Sequence, residues 1–258
     1  MSAQEWPAND YAIGSFIQAT IADNYLKYLT IQPTDQVLDI GCGNGAYTRK
    51  IVAKVPQGTL LGIDASENML KLAREEMANY PNVSLKQDDV LTMTFDNQFD
   101  FIVSFWCLQW CAFSIEKAFQ AIYRALKPGG KILTLFPSGD DPFITSYMAV
   151  KASGEFPSLA GFKPPVDYRN LDHLQERMQA LPFKRISIER PKHALPLPSL
   201  DVFRKFVNGI AFFHGQIPSN EIPIINEAMV SAYERECQEK YQGEYWFNLS
   251  IYLIRAEK

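Results

Sequence analysis

Histidine is scarce in this sequence. Three occur in 258 residues, His173, His193 and His214, all in the C-terminal half. An imidazole base or a histidine-rich metal cluster is therefore not offered by the N-terminal half. Four cysteines, Cys42, Cys107, Cys111 and Cys237, give no disulfide framework, and free thiols are expected. Cys107 and Cys111 lie four apart without a neighbouring His/Cys cluster, so no metal site is expected. Charge of one sign is also lacking. Twenty-five Lys and Arg face 29 Asp and Glu, a net of −4, which builds none of the positive field that nucleic acid rewards. No apolar run approaches the roughly eighteen residues that would span a bilayer, so no membrane partner is expected. The opening MSAQEWPANDYAIG has neither the basic start nor the apolar stretch of a signal peptide, and a cytoplasmic location is the expectation. Repeats and low-complexity tracts are absent.

What the sequence does contain is alternation. QVLDI (36–40), TLLGID (59–64), NVSLKQDDV (82–90), FDFIVSFWCLQW (99–110) and KILTLF (131–136) read as short strands. Between them, AYTRKIVAKV, SENMLKLAREEMANY with Ser66 as its cap, and SIEKAFQAIYRALK read as helices. Such alternation predicts a doubly wound, mostly parallel α/β sheet. An apolar helical pattern over 12–30 precedes it. After residue 137 the pattern breaks. Residues 138–182 are rich in Pro, Gly and Ser with a helix expected at 169–180, 183–190 resumes as a strand, and 191–199 reads as a linker. Helices are expected at 199–214 and 219–241, and 245–256 closes as a strand. The expected organisation is one domain over 1–258. It comprises a helical cap (1–35), a ligand-binding core (36–137) and two insertions (138–182 and 191–243) that cap the substrate side.

Asp39-Ile40-Gly41-Cys42-Gly43-Asn44-Gly45 joins the first strand to the first following helix. Glycines there allow a sharp turn and close approach of a ligand to the backbone, at the strand end where open α/β sheets bind ligands. Gly41-x-Gly43-x-x-Ala46 also satisfies the dinucleotide pattern, with Asp64 about twenty residues on as a ribose partner, so the loop alone does not choose a cofactor. Asp39 does discriminate, because an acid two residues before the first glycine repels a pyrophosphate and attracts an ammonium.

VLDIGCGNG resembles the first motif of class I S-adenosylmethionine-dependent methyltransferases, and LKPGGKILTLF resembles that family's turn and fifth strand. The resemblance runs over about residues 10–136 and implies a Rossmann-like seven-stranded sheet with S-adenosylmethionine as cofactor. It implies that Asp39, Gly41, Gly43 and Gly45 hold the methionine part and Asp64 the ribose. Ala65 and Met69 would line the site with Ser104, and the adenine would meet Asp88 or Asp89 and the Val90 backbone.

Ser104-Phe105-Trp106-Cys107-Leu108-Gln109-Trp110 is similar to the corresponding stretch of small-molecule carboxyl methyltransferases of the trans-aconitate and juvenile hormone acid type. Tyr11-x-x-x-Ser15-x-x-Gln18 matches a signature on their N-terminal helix. The resemblance implies that Gln18 and Trp110 orient an acceptor carboxylate, with Tyr11 and Gln109 lining its pocket, and Phe203 and Phe206 of the helical insertions are expected to line it as an apolar lid. A carboxylic acid of pKa about 4–5 is ionised at neutral pH and needs no general base. The neutral N–H groups of Gln and Trp suit its positioning. Methylation of another small acceptor (amine, phenol or alkene carbon), or binding of the cofactor without turnover, stays open at this point. The expected assembly is a monomer or a weak homodimer.

Overall fold

The computed structural model describes residues 15–258. Tyr11 and the start of the N-terminal cap lie outside the described residues. β1 (Gln36–Ile40), β2 (Thr59–Asp64), β3 (Val83–Gln87), β4 (Phe99–Phe105) and β5 (Leu126–Pro137) form the parallel part of one sheet. β6 (Arg185–Glu189), β7 (Lys192–Pro196) and β8 (Trp246–Glu257) complete it, β8 pairing antiparallel with β5, β6 and β7. The strand order is β3-β2-β1-β4-β5-β8-β6. The last position is shared: β6 pairs with the C-terminal half of β8 and β7 with its N-terminal half. The sheet thus has the seven positions expected but eight strands. β7 occupies the stretch expected as a linker, whose three prolines mask an edge strand with alternating burial.

Side-chain alternation divides the core. Val37, Phe101, Val103 and Leu133 point to one face of the sheet, and Leu38, Ile40, Ile102 and Ile132 to the other. Helices α2 (Ala46–Val52), α3 (Glu67–Glu76) and α4 (Ile115–Ala125) supply the crossovers. Ser66 Oγ accepts from Met69 N and caps α3 as expected. The first helix among the described residues, α1 (Phe16–Asp23), ends before its apolar pattern does and is followed by a 3-10 turn at Leu26–Tyr28.

Three differences from the sequence expectation bear on the site. β4 ends at Phe105, not at Trp110. Trp106 turns the chain at φ 59°, and a 3-10 helix covers Leu108–Ser114. A helix not expected at all, α5 (Pro142–Ser153), is capped by Asp141, has Pro142 in its first turn and closes on Gly154 in the left-handed region. The helix expected at 169–180 is confined to α6 (Leu174–Gln179), after a 3-10 turn at Tyr168–Leu171. α7 (Leu200–Gly209) and α8 (Ile222–Tyr241) follow, and α8 packs on both α5 and α7. Among the described residues no helix is long and apolar enough to cross a membrane.

Candidate active site

The chain runs β1, β2, β3 to one edge and returns to place β4 on the other side of β1. At that reversal the loops leaving β1 and β4 diverge and open a crevice at the carboxyl ends of the strands. The glycine loop and Trp106 form its two sides.

Backbone hydrogen bonds from Gly41 N (2.8 Å) and Cys42 N (3.0 Å) to Ile63 O hold the loop against β2. Gly41 has φ 73°, and a Cβ there would lie 2.5 Å from Cys107 Cβ and Sγ. Gly43 (φ 56°) has nothing within 4 Å of its Cβ position, so the loop presents bare backbone to open space. Asp64, at the end of β2, ties the loop down: Oδ2 accepts from Gly43 N and Oδ1 from Ser66 N, both at 2.9 Å.

A cavity of about 210 Å³ adjoins the loop and is lined by Gly41, Gly43, Asp64, Ala65, Met69, Asp88, Asp89 and Val90. Asp88 is engaged by Lys86 Nζ at 2.6 Å, and its Oδ1 accepts from Asp89 N. Asp89 Oδ1 accepts from Leu91 N at 2.8 Å. Cys107 and Cys111 line the far wall, and burial pushes both thiols up, Cys111 to about 12. They are protonated at neutral pH and serve as wall, not nucleophile.

Asp39 lies behind the loop, in an adjoining cavity shared with Gly43, Ser15, Gln18 and Trp106. It is 3 % exposed, and its Oδ2 accepts from Thr48 Oγ1 at 2.7 Å. Burial pushes its pKa up to about 7, the Asp64 charge adds to the rise, and the Thr48 bond opposes it. A ligand whose ammonium group Asp39 holds would bind the ionised form, so its affinity should weaken about tenfold per pH unit below 7. The free protein has the opposite sign: a raised folded pKa contributes stability at low pH that is lost as pH rises through about 7. Calorimetric titration across pH 5.5–8 checks the first slope. An Asp39→Asn variant should bind weakly and without that slope.

Trp106 separates this region from a third, mostly apolar cavity. Its N–H donates to Leu135 O (2.9 Å), its Nε1–H to Gln18 O (3.1 Å), and its carbonyl accepts from Gln109 Nε2 (2.9 Å). A bulky residue at positive φ is costly, and these three bonds hold it there. The apolar cavity brings Gln18, Gln109 and Trp110 together with Phe143, Phe206 and Phe212. Trp110 lines this cavity and the 210 Å³ cavity alike. Oε1 of both Gln18 and Gln109 is buried without a hydrogen-bond partner. None of the three histidines lines these cavities.

Three residues expected in the site stand outside all three cavities. Ser104 is fully buried and donates from Oγ to Ile40 O at 2.9 Å, clipping β4 to β1 beneath the crevice. Gly45 starts α2 at φ 85° and packs on Ala73, shaping the loop without facing the cavity. Phe203 is fully buried and stacks on Tyr233 with centroids 3.9 Å apart, joining α7 to α8. Conversely, Trp106, Asp141 and Tyr168 line the apolar cavity without having been expected there. Trp106 was hidden inside an apolar run, and Asp141 carried an N-cap signal (Asp before Pro) inside a segment dominated by its loop-like composition.

Residues 37–130 match the family model described as a methyltransferase domain. A putative methyltransferase of Invertebrate iridescent virus 6 is 36% identical over 130 residues, covering 50% of this chain and 48% of that protein. Trans-aconitate 2-methyltransferase of Deinococcus radiodurans is 30% identical over 131 residues, covering 51% and 49%. The chain thus spans about half the length of these curated relatives. Haemonchus contortus phosphoethanolamine N-methyltransferase 2, solved with phosphomonomethylethanolamine and S-adenosylhomocysteine, shares the fold with a TM-score of 0.61 at 21% identity, covering 96% of this chain and 57% of that one. Residues 37–130 of this α/β chain are thus similar to a methyltransferase domain, and the chain shares its fold with a solved methyltransferase.

Proposed function

We propose that the protein transfers a methyl group from S-adenosylmethionine to the carboxylate of a small molecule with an apolar body. The observation that carries this is the apolar cavity beside the glycine-loop crevice, which is lined by two glutamine amides, shares Trp110 with the crevice, and has no His, Lys or Arg among its described lining residues. Asp39 meets the cofactor's ammonium, Gly41 and Gly43 pass close beneath its methionine part, and Asp64 takes the ribose. Asp89 takes the adenine amino group, because the charge of Asp88 is engaged by Lys86. When bound, S-adenosylmethionine supplies an electrophilic methyl on a sulfonium.

The chain's own residues then bind, orient and exclude water. Gln18 turns its amide N–H toward the acceptor carboxylate, and the phenyl rings of Phe143, Phe206 and Phe212 keep the site dry. A dry site favours this reaction, since a carboxylate and a sulfonium cancel their charges on transfer. No group has to remove a proton, in keeping with the lack of histidine in the lining.

One observation favours a second reading. Gln109 Nε2 is committed to Trp106 O, so its unpaired Oε1 is the atom left to meet a ligand, and that atom wants a donor. A hydroxyl or amine acceptor would supply one. Transfer of label from methyl-labelled S-adenosylmethionine to a panel of medium-chain carboxylic acids, aconitate-like polyacids, amines and phenols decides between them. Medium-chain acids are expected to accept best. Label found only on amines or phenols overturns the carboxylate reading, and label found on none of them leaves a protein that binds the cofactor without turnover.

A further inference from the structure

The acceptor cavity contains one carboxyl group, for which the reaction just described has no use. Asp141 is 5 % exposed and lines that cavity at the N-terminus of α5. Its Oδ1 accepts from Phe143 N (3.0 Å) and Ile144 N (3.2 Å), which caps the helix. Capping occupies one oxygen of the carboxyl group. The other oxygen, Oδ2, takes no part in the cap, and the cavity that Asp141 lines is also lined by Phe143, Val166 and Tyr168, with no Lys, Arg or His among the described lining residues to balance a charge. An ordinary N-cap sits at the surface, where water solvates it, and this one is enclosed with the acceptor.

Resting on the carboxylate reading, we propose that Asp141 is a specificity-determining residue that holds a proton on Oδ2 and donates a hydrogen bond to the acceptor's carboxylate. Two carboxyl groups brought together in an apolar cavity cannot both stay ionised, and sharing one proton turns their repulsion into a short, charge-assisted bond. The surroundings agree. Burial raises Asp141 to about 6, the neighbouring Asp140 charge adds to the rise, and the two backbone N–H groups oppose it. Tyr168, the titratable group across the loop, is itself held protonated by burial and by Asp141 and Asp140. The proton comes from solvent when the ionised acceptor binds, stays on Asp141 through methyl transfer, and returns to solvent when the neutral ester leaves. No net proton enters the reaction.

The test uses octanoate and octylamine as acceptors at saturating S-adenosylmethionine, which keeps Asp39 ionised. Because kcat/KM for octanoate then reports the essential groups of the acceptor-free protein, its value should fall about tenfold per pH unit above about 6. Asp141→Asn keeps the cap through Oδ1 and carries a permanent N–H donor, so it should abolish this limb and exceed wild type at pH 8. Octanoate methylated with a pH-independent wild-type profile, or a limb that persists in Asp141→Asn, overturns the role of Asp141 and leaves the carboxylate reading standing. Octanoate untouched while octylamine is methylated, with kcat/KM rising above pH 6, overturns both. No transfer to either acceptor does the same.

Discussion

Replacing Gln18 with Ala should lower turnover by one to three orders of magnitude, about 1.4–4 kcal/mol of transition-state positioning, with affinity for S-adenosylhomocysteine within about threefold of wild type. Gln18, like Trp106, lines both the apolar cavity and the cavity containing Asp39, which on the proposed function is where acceptor and methyl donor meet. Its Oε1 is buried and unpaired, and turning the amide over presents Nε2 at the same place. The split between turnover and affinity matters because Gln18 also has a structural task. Its backbone carbonyl accepts from Trp106 Nε1 and docks α1 on the crevice, and truncating the side chain leaves that bond in place. A variant that loses cofactor affinity and turnover together would mean that α1 had detached. A variant with unchanged turnover would remove Gln18 from the acceptor site. Substitution by Glu should be worse than Ala, since it sets a second charge against the acceptor carboxylate.

Much of the crevice lining was legible in the sequence because its residues lie at the ends of consecutive strands. Asp39, Gly41, Gly43, Asp64 and Asp89 each follow a short apolar run, and the fold brings the ends of such runs to one edge. Ser104 and Gly45 show how that logic overreaches. Both sit at or beside a strand end, yet pleating turns Ser104 Oγ to the neighbouring strand, and the φ of Gly45 turns it toward α3.

The apolar cavity is harder to read because it is assembled from segments far apart in the chain. Gln18 comes from α1, Asp141 and Phe143 from the start of α5, Phe206 from α7, and Phe247 and Leu249 from β8. No periodicity relates them. The turn at Trp106 leaves no mark either, since positive φ is normally signalled by Gly or Asn and here is held by two tertiary hydrogen bonds and one local one. Composition misled at α5 and β7. Proline there begins a helix at Pro142 and ends an edge strand at Pro196, both positions that lack a needed N–H bond.

Asp64→Ala should weaken S-adenosylhomocysteine binding by about 1.5–3 kcal/mol, roughly tenfold to 150-fold, while leaving most of the turnover at saturating cofactor. One part of that loss is the charge-assisted hydrogen bond to a ribose hydroxyl. The other is preorganisation. With its carboxylate gone, Gly43 N and Ser66 N both lose their acceptor, and the loop that must pass beneath the methionine part is no longer tied to β2 from that side. The bonds from Gly41 N and Cys42 N to Ile63 O remain, so the loop should loosen without unfolding. Asn is not a neutral replacement here, because both carboxylate oxygens receive backbone N–H donors and an amide would aim an NH2 at one of them. Asp64→Asn should therefore bind little better than Asp64→Ala. Had Asp64 served the ribose alone, Asn would recover much of the affinity, so the pair of variants separates anchoring of the loop from contact with the ligand. Calorimetric titration of both measures it, and unchanged affinity in Asp64→Ala would remove Asp64 from the cofactor site altogether.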